Sequence, residues 1–110
     1  MSLGHGSIIA KNYIEFHWDH KIHEIRIELI PRIISALNYL ISVPESDAAS
    51  MTIWTKDELE NFCLQCWDDG SIRFSTNWSE NNIIPKENVQ DFLDAFTALD
   101  LTMKKVLNNG

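Results

Sequence analysis

Two groups of side chains in this 110-residue chain have the types and spacing that chemistry uses. Cys63-Leu64-Gln65-Cys66 carries C-x-x-C spacing, which serves thiol exchange or zinc. His17, His20 and His23, with Asp19 among them, offer imidazole and carboxylate ligands for a transition metal. Neither group has the setting its chemistry needs. A redox C-x-x-C sits at a helix N-terminus, where the dipole lowers the thiol pKa. Here the motif lies in an alternating, strand-like stretch, and an offset of three sends the thiols to opposite faces. That places Cys66 in the core and Cys63 on the open face. Zinc would need two more ligands, and the chain has no second C-x-x-C. The three histidines fall on an outer strand face, in a turn and on an inner row, so they diverge. Were His17, Asp19 and His20 to converge, metal-assisted hydrolysis would be the reaction class. No G-x-S-x-G elbow is present. Of four glycines only Gly70 lies inside the domain, too few for a phosphate cradle. The expectation is no catalytic residue, no metal and no cofactor.

Side chains suited to contact are more prominent. Alternation directs Trp54 and Trp67 to the polar side of a sheet, and aromatic rings outside the core are frequent interface anchors. Tyr13, Cys63, Gln65, Arg73, Ser75 and Asn77 are expected around them. Acidic residues supply the second feature. The loop holding Glu45 and Asp47 and the turn holding Asp68 and Asp69 are expected at one end of that sheet. Four carboxylates there would attract a basic partner, speed its association and repel nucleic acid.

The elements that position these residues follow from periodicity. Ile14, Phe16 and Trp18 alternate with Tyr13, Glu15 and His17; Ile25, Ile27 and Leu29 alternate with Glu24, Arg26 and Glu28. Both stretches read as half-buried strands. Matching apolar residues pairs Phe16 with Ile25 and Ile14 with Ile27, with Glu15 opposite Arg26 and a turn at residues 19–22. Pro31 suits a helix start, and apolar residues at helical spacing carry that helix from Arg32 to Val43. Three more strands follow, at 51–55, 61–67 and 72–78. Gly70 fits the left-handed position of a three-residue hairpin loop, which pairs Cys66 with Ile72 and Leu64 with Phe74. A turn over 56–59 pairs Ile53 with Phe62 and Met51 with Leu64. After Pro85, apolar residues from Val89 to Leu107 recur at three- and four-residue spacing and predict a long helix. The fold class is therefore α+β, a two-layer domain. One antiparallel five-stranded sheet carries two helices on one face, in the order ββ-α-βββ-α.

Composition bounds the rest. The length suits a single domain over 1–110, with residues 1–9 read as a tail or cloning remnant. Two cysteines, no bilayer-length apolar run and no signal-peptide pattern suggest a reduced, cytoplasmic protein without a membrane partner. The net charge of −7 is unevenly placed. Residues 44–69 hold seven acids and one lysine, a balance of −6, while residues 1–43 sum to zero. The functional expectation is a small acidic protein-binding module that inhibits a basic partner by occlusion. An immunity or antitoxin-type protein against a nuclease toxin is its most concrete form. Trp54, Trp67, Glu45, Asp47, Asp68 and Asp69 would be the contact residues. A secretion or assembly chaperone, with a homodimer, is the near alternative. A small metal-dependent hydrolase using His17, Asp19 and His20 is the distant one.

Overall fold

A computed structural model describes residues 4–10, 12–43 and 48–109, with side chains left out at 4–5, 7–10 and 106–109. Its strands and helices are β1 (Gly4–Ala10), β2 (Tyr13–Trp18), β3 (Lys21–Arg26), α1 (Ile30–Ser42), β4 (Ala49–Trp54), β5 (Asn61–Cys66), β6 (Ile72–Thr76), β7 (Asn82–Ile84) and α2 (Val89–Asn109). A short 3-10 turn leads into each helix, at Ile27–Leu29 and Lys86–Asn88.

The architecture is α+β and antiparallel, but the strands form two sheets, in orders β1-β2-β3 and β4-β5-β6-β7. The expected single five-stranded sheet is corrected on three counts. Strand β1, Gly4–Ala10, overlaps the stretch 1–9 read as a tail and pairs with β2 through Gly4↔Trp18 and Ile8↔Ile14. Its Gly6 passes so close to α2 that a Cβ would lie 2.8 Å from Leu99 Cδ2. A three-residue strand, β7, closes the second sheet at Asn82–Ile84. Finally, among the described residues no ladder joins the first hairpin to the later strands. Arg26 with Glu60, Lys21 with Asn82, and His23 against Phe74 bridge the sheets instead.

Local chemistry explains most of the registers. In the second sheet the pairs Met51↔Leu64, Ile53↔Phe62, Leu64↔Phe74 and Cys66↔Ile72 are the expected ones. Gly70 takes the left-handed conformation at φ 84°, as its loop requires. The first hairpin differs. It pairs Ile14↔Ile25, Phe16↔His23 and Glu15↔Glu24, a shift of two residues. Asp19 and His20 both adopt positive φ, 48° and 66°, so the loop is the tight two-residue type that matches strand twist. Turn geometry outweighs apolar matching here because a shift of two keeps every side chain on its own face. Glu15 then turns to His17 at 2.6 Å rather than to a cross-strand base. The strand also ends at Arg26, and the chain winds into a 3-10 turn that buries Leu29.

The core lies between the helices and both sheets. Phe16 of β2 stacks on Phe96 of α2 at 4.3 Å, and Trp18 meets Phe92 edge-on at 5.0 Å. From the other sheet, Phe62 meets Phe96 at 6.0 Å and Phe74 meets Phe92 at 5.0 Å. One helix thus holds two sheets together, each aromatic pair adding about 0.5–1.5 kcal/mol beyond area burial. Ile33, Leu37 and Leu40 line the buried side of α1. On the opposite face of β4–β7, Ser50, Thr52 and Trp54 are exposed, while Asn61 and Ser75 are buried.

Candidate functional site

The open face of the second sheet is built from alternate residues of its strands. Ladder pairing aligns Thr52 with Cys63 and Ser75 in one row, and Ser50 with Gln65, Arg73 and Ile83 in the next. Trp54 stands opposite Asn61 at one end, and Trp67 follows Cys66 at the other. The tryptophans are 39% and 41% exposed, so neither is core. Six residues of strand separate Asn61 from Trp67, about 20 Å. The two expected anchors therefore share a face without touching.

Each end has its own construction. At the first, the ring of Trp54 meets that of Trp78 edge-on at 6.0 Å. A strand running over 72–78 would put Trp78 on the row of Ile72 and Phe74; instead β6 stops at Thr76 and Trp78 sits in the turn, 67% exposed. Asn77 and Trp78 both take positive φ, 51° and 61°. Asn77 tolerates that conformation and locks it by accepting from the Asn61 amide (2.8 Å) and donating its own amide to the Asn61 carbonyl (3.0 Å). Trp78 has no such tolerance, and an exposed aromatic ring in left-handed backbone is a strained feature. The polar run Asn77-Trp78-Ser79-Glu80-Asn81-Asn82 was the signal for this turn.

At the second end, the Arg73 guanidinium lies 3.6 Å above the Trp67 ring. Asp68 and Asp69 are exposed in the adjoining turn. Asp69 accepts from the Ser71 hydroxyl (2.6 Å) and amide (2.9 Å). Those bonds, with the charge of Arg73, hold its carboxyl below the usual carboxylate range. Glu45 and Asp47 lie outside the described residues. Behind Trp67, a cleft of about 250 Å³ opens between Leu40, Val43, Cys66, Ile72 and Lys86, wide enough for an aliphatic side chain.

A second acidic group, missed in the sequence, surrounds Arg26 near Trp54. Arg26 donates to Glu60 and, at 3.0 Å, to the Tyr13 hydroxyl. It also pairs with Asp57 at 3.1 Å and Glu28 at 3.8 Å. Hydrogen bonds from Thr55 and the Leu59 amide, and then Arg26, keep Asp57 below its ordinary range. Sequence distance hid this cluster: Tyr13, Arg26 and Glu60 come from separate elements.

The residues suggested for thiol or metal chemistry are dispersed. Cys66 is buried and Cys63 half-buried, where it meets Thr52 Oγ1 at 3.4 Å; neither is in a disulfide. His17 bonds Glu15 and lies opposite Ile22 in the ladder. His23 is half-buried with its ring 5.1 Å from Phe74, and burial, aided by Lys21, lowers its pKa. Among the described residues, no three His, Cys, Asp or Glu gather as a metal group, and no helix is long and apolar enough to cross a membrane. What the open face offers is contact chemistry: three exposed indoles, one guanidinium and uncharged hydrogen-bonding groups between acidic turns. Comparison with protein-family models, with curated proteins and with solved structures finds no match, so the function is read from this geometry.

Proposed function

We propose that the protein is a binding module that engages a basic protein partner through the open face of β4–β7 and inhibits it by occlusion. One observation carries this reading: Trp54, Trp67 and Trp78 are all substantially exposed along one sheet side, and Trp78 is held there at a conformational cost. Tryptophan is the side chain most enriched at interface hot spots. Exposed Asp68 and Asp69 border the face at the Trp67 end, while Asp57 and Glu60 toward the other end are paired with Arg26. An immunity or antitoxin-type protein against a nuclease toxin is the most concrete form, because such carboxylates can occupy the Lys and Arg side chains that would hold phosphate.

The anchors act as two stations rather than one patch. Trp54 with Trp78 forms the first, and Trp67 with Arg73 forms the second. Co-purification from the native host at low salt tests the reading. A basic protein retained at low salt and released at high salt is expected. Trp54→Ala with Trp78→Ala should weaken its binding by about 2 kcal/mol or more. Asp68→Lys with Asp69→Lys should lower its association rate. Retention of no basic protein, or tryptophan variants that bind as tightly as the parent, would sink the proposal.

A further inference from the structure

Unpaired sheet edges invite other strands, and proteins usually guard them with charge, proline, a bulge or brevity. β3 carries Lys21, Glu24 and Arg26, and β7 has only three residues. β4 has none of these guards: Ala49-Ser-Met-Thr-Ile-Trp54 is six residues long and contains neither proline nor a formal charge. Its ladder to β5 runs without a register shift.

Backbone alternation identifies the groups on that edge. The Thr55 amide donates to the Glu60 carbonyl at 3.0 Å. In an antiparallel ladder the bonded pairs alternate, so residues 53, 51 and 49 also face β5. Ser50, Thr52 and Trp54 therefore turn their N–H and C=O groups away from the sheet. Arg32 donates to the Trp54 carbonyl, which agrees with that direction. A carbonyl has two lone pairs, so this contact leaves one for a further strand.

The edge is complementary to itself. Thr52 lies midway between Ser50 and Trp54. Two copies paired antiparallel about Thr52 would align Thr52 with Thr52 and each Trp54 with the other copy's Ser50. At the Ser50 end of β4 there is a shallow hollow of about 320 Å³, lined by Ala48, Ala49, Ser50, Gln65, Cys66 and Trp67. At the other end Trp54 projects from the same strand, 39% exposed. The knob and the hollow stand at matching distances on either side of Thr52. We propose that β4 is a dimerisation edge whose occupant is β4 of a second copy, with each Trp54 seated in the other copy's hollow.

Two strands and two indoles make a small interface, so the dimer belongs to the weak, reversible class. With −7 on each copy, charge opposes the pairing, and added salt strengthens it. A basic partner would show the reverse dependence. The proposal does not rest on that partner, although both surfaces use Trp54 and would compete for it.

Sedimentation velocity of the purified full chain alone, over a wide concentration range at low and high salt, is the test. A monomer–dimer equilibrium that tightens with salt is expected, with slowed amide exchange at Ser50, Thr52 and Trp54 in the concentrated sample. Thr52→Pro removes an outward N–H without touching the ladder to β5, so it should fold and raise the dissociation constant about tenfold or more. Thr52→Lys, with a charge at the two-fold, should do the same and serves if the proline variant folds poorly. Trp54→Ala should also weaken the dimer. A chain that stays monomeric throughout overturns the proposal. So does a dimer that is unchanged in folded Thr52→Pro or Thr52→Lys, or one that protects amides of β1 or β7 instead of β4.

Discussion

His23 shows how one side chain can be polar in type and half-apolar in setting. Its ring packs edge-on to Phe74, and its Nε2 is buried without a hydrogen-bond partner. Lys21, Glu24 and Glu80 line the adjoining groove. Desolvation first, and Lys21 second, lower the imidazole pKa from 6.5. The unfolded chain therefore takes up this proton before the folded one does. Stability is complete above 6.5 and falls as pH drops through that value toward the folded pKa. Urea midpoints from about pH 5 to about pH 8 should show this slope, and His23→Phe should abolish its histidine part. A slope unchanged in the variant would assign it to another group. Asp57 and Asp69 act in the opposite range. Their lowered pKa values mean a contribution that is present above 3.8 and lost as pH falls through the folded values.

At the scale of the element, the hairpins are set by their loops. The β5–β6 loop was readable because Gly70 sits where a left-handed residue is needed, and it does adopt φ 84°. The β2–β3 loop was not, because Asp19 and His20 are ordinary in sequence yet both take positive φ. Asn-Gly is the favoured pair for such a loop. Asp19→Asn with His20→Gly should therefore stabilise the chain by about 1 kcal/mol, seen as a higher urea midpoint at unchanged m-value. A four-residue turn at 19–22 would gain nothing from this change. α1 and α2 were plain from spacing because their apolar faces are continuous: Ile33, Leu37 and Leu40 in one, Phe92, Phe96, Leu99 and Met103 in the other.

Across the whole molecule, the join between the two sheets is made by side chains rather than a ladder. Tyr13, Arg26 and Glu60 meet there, and Tyr13 donates to Glu60 at 2.6 Å. Arg26→Gln would leave Glu60 and Asp57 without their guanidinium. It should lower the thermal midpoint and speed amide exchange in β3, while β5, at the centre of its own sheet, stays slow. Exchange that rises equally in both strands would show that the join is not the weak line. The same join explains why Trp54 and Trp67 form separate stations. The open face belongs to the second sheet alone, with one aromatic station at each end of β5.

Periodicity and turn chemistry, both local, were enough for the α+β class, both helices, the β4–β5–β6 registers and the exposure of Trp54 and Trp67. These properties depend on which side of an element a residue occupies, and alternation records that within a few residues. Short or glycine-rich strands such as β7 and β1 left little pattern to find. The division into two sheets, the Arg26 cluster and the meeting of Trp54 with Trp78 were decided by the packing of distant segments. Those contacts join residues up to tens of positions apart, such as Tyr13 with Glu60, and no local propensity encodes which remote partner a strand or side chain will meet.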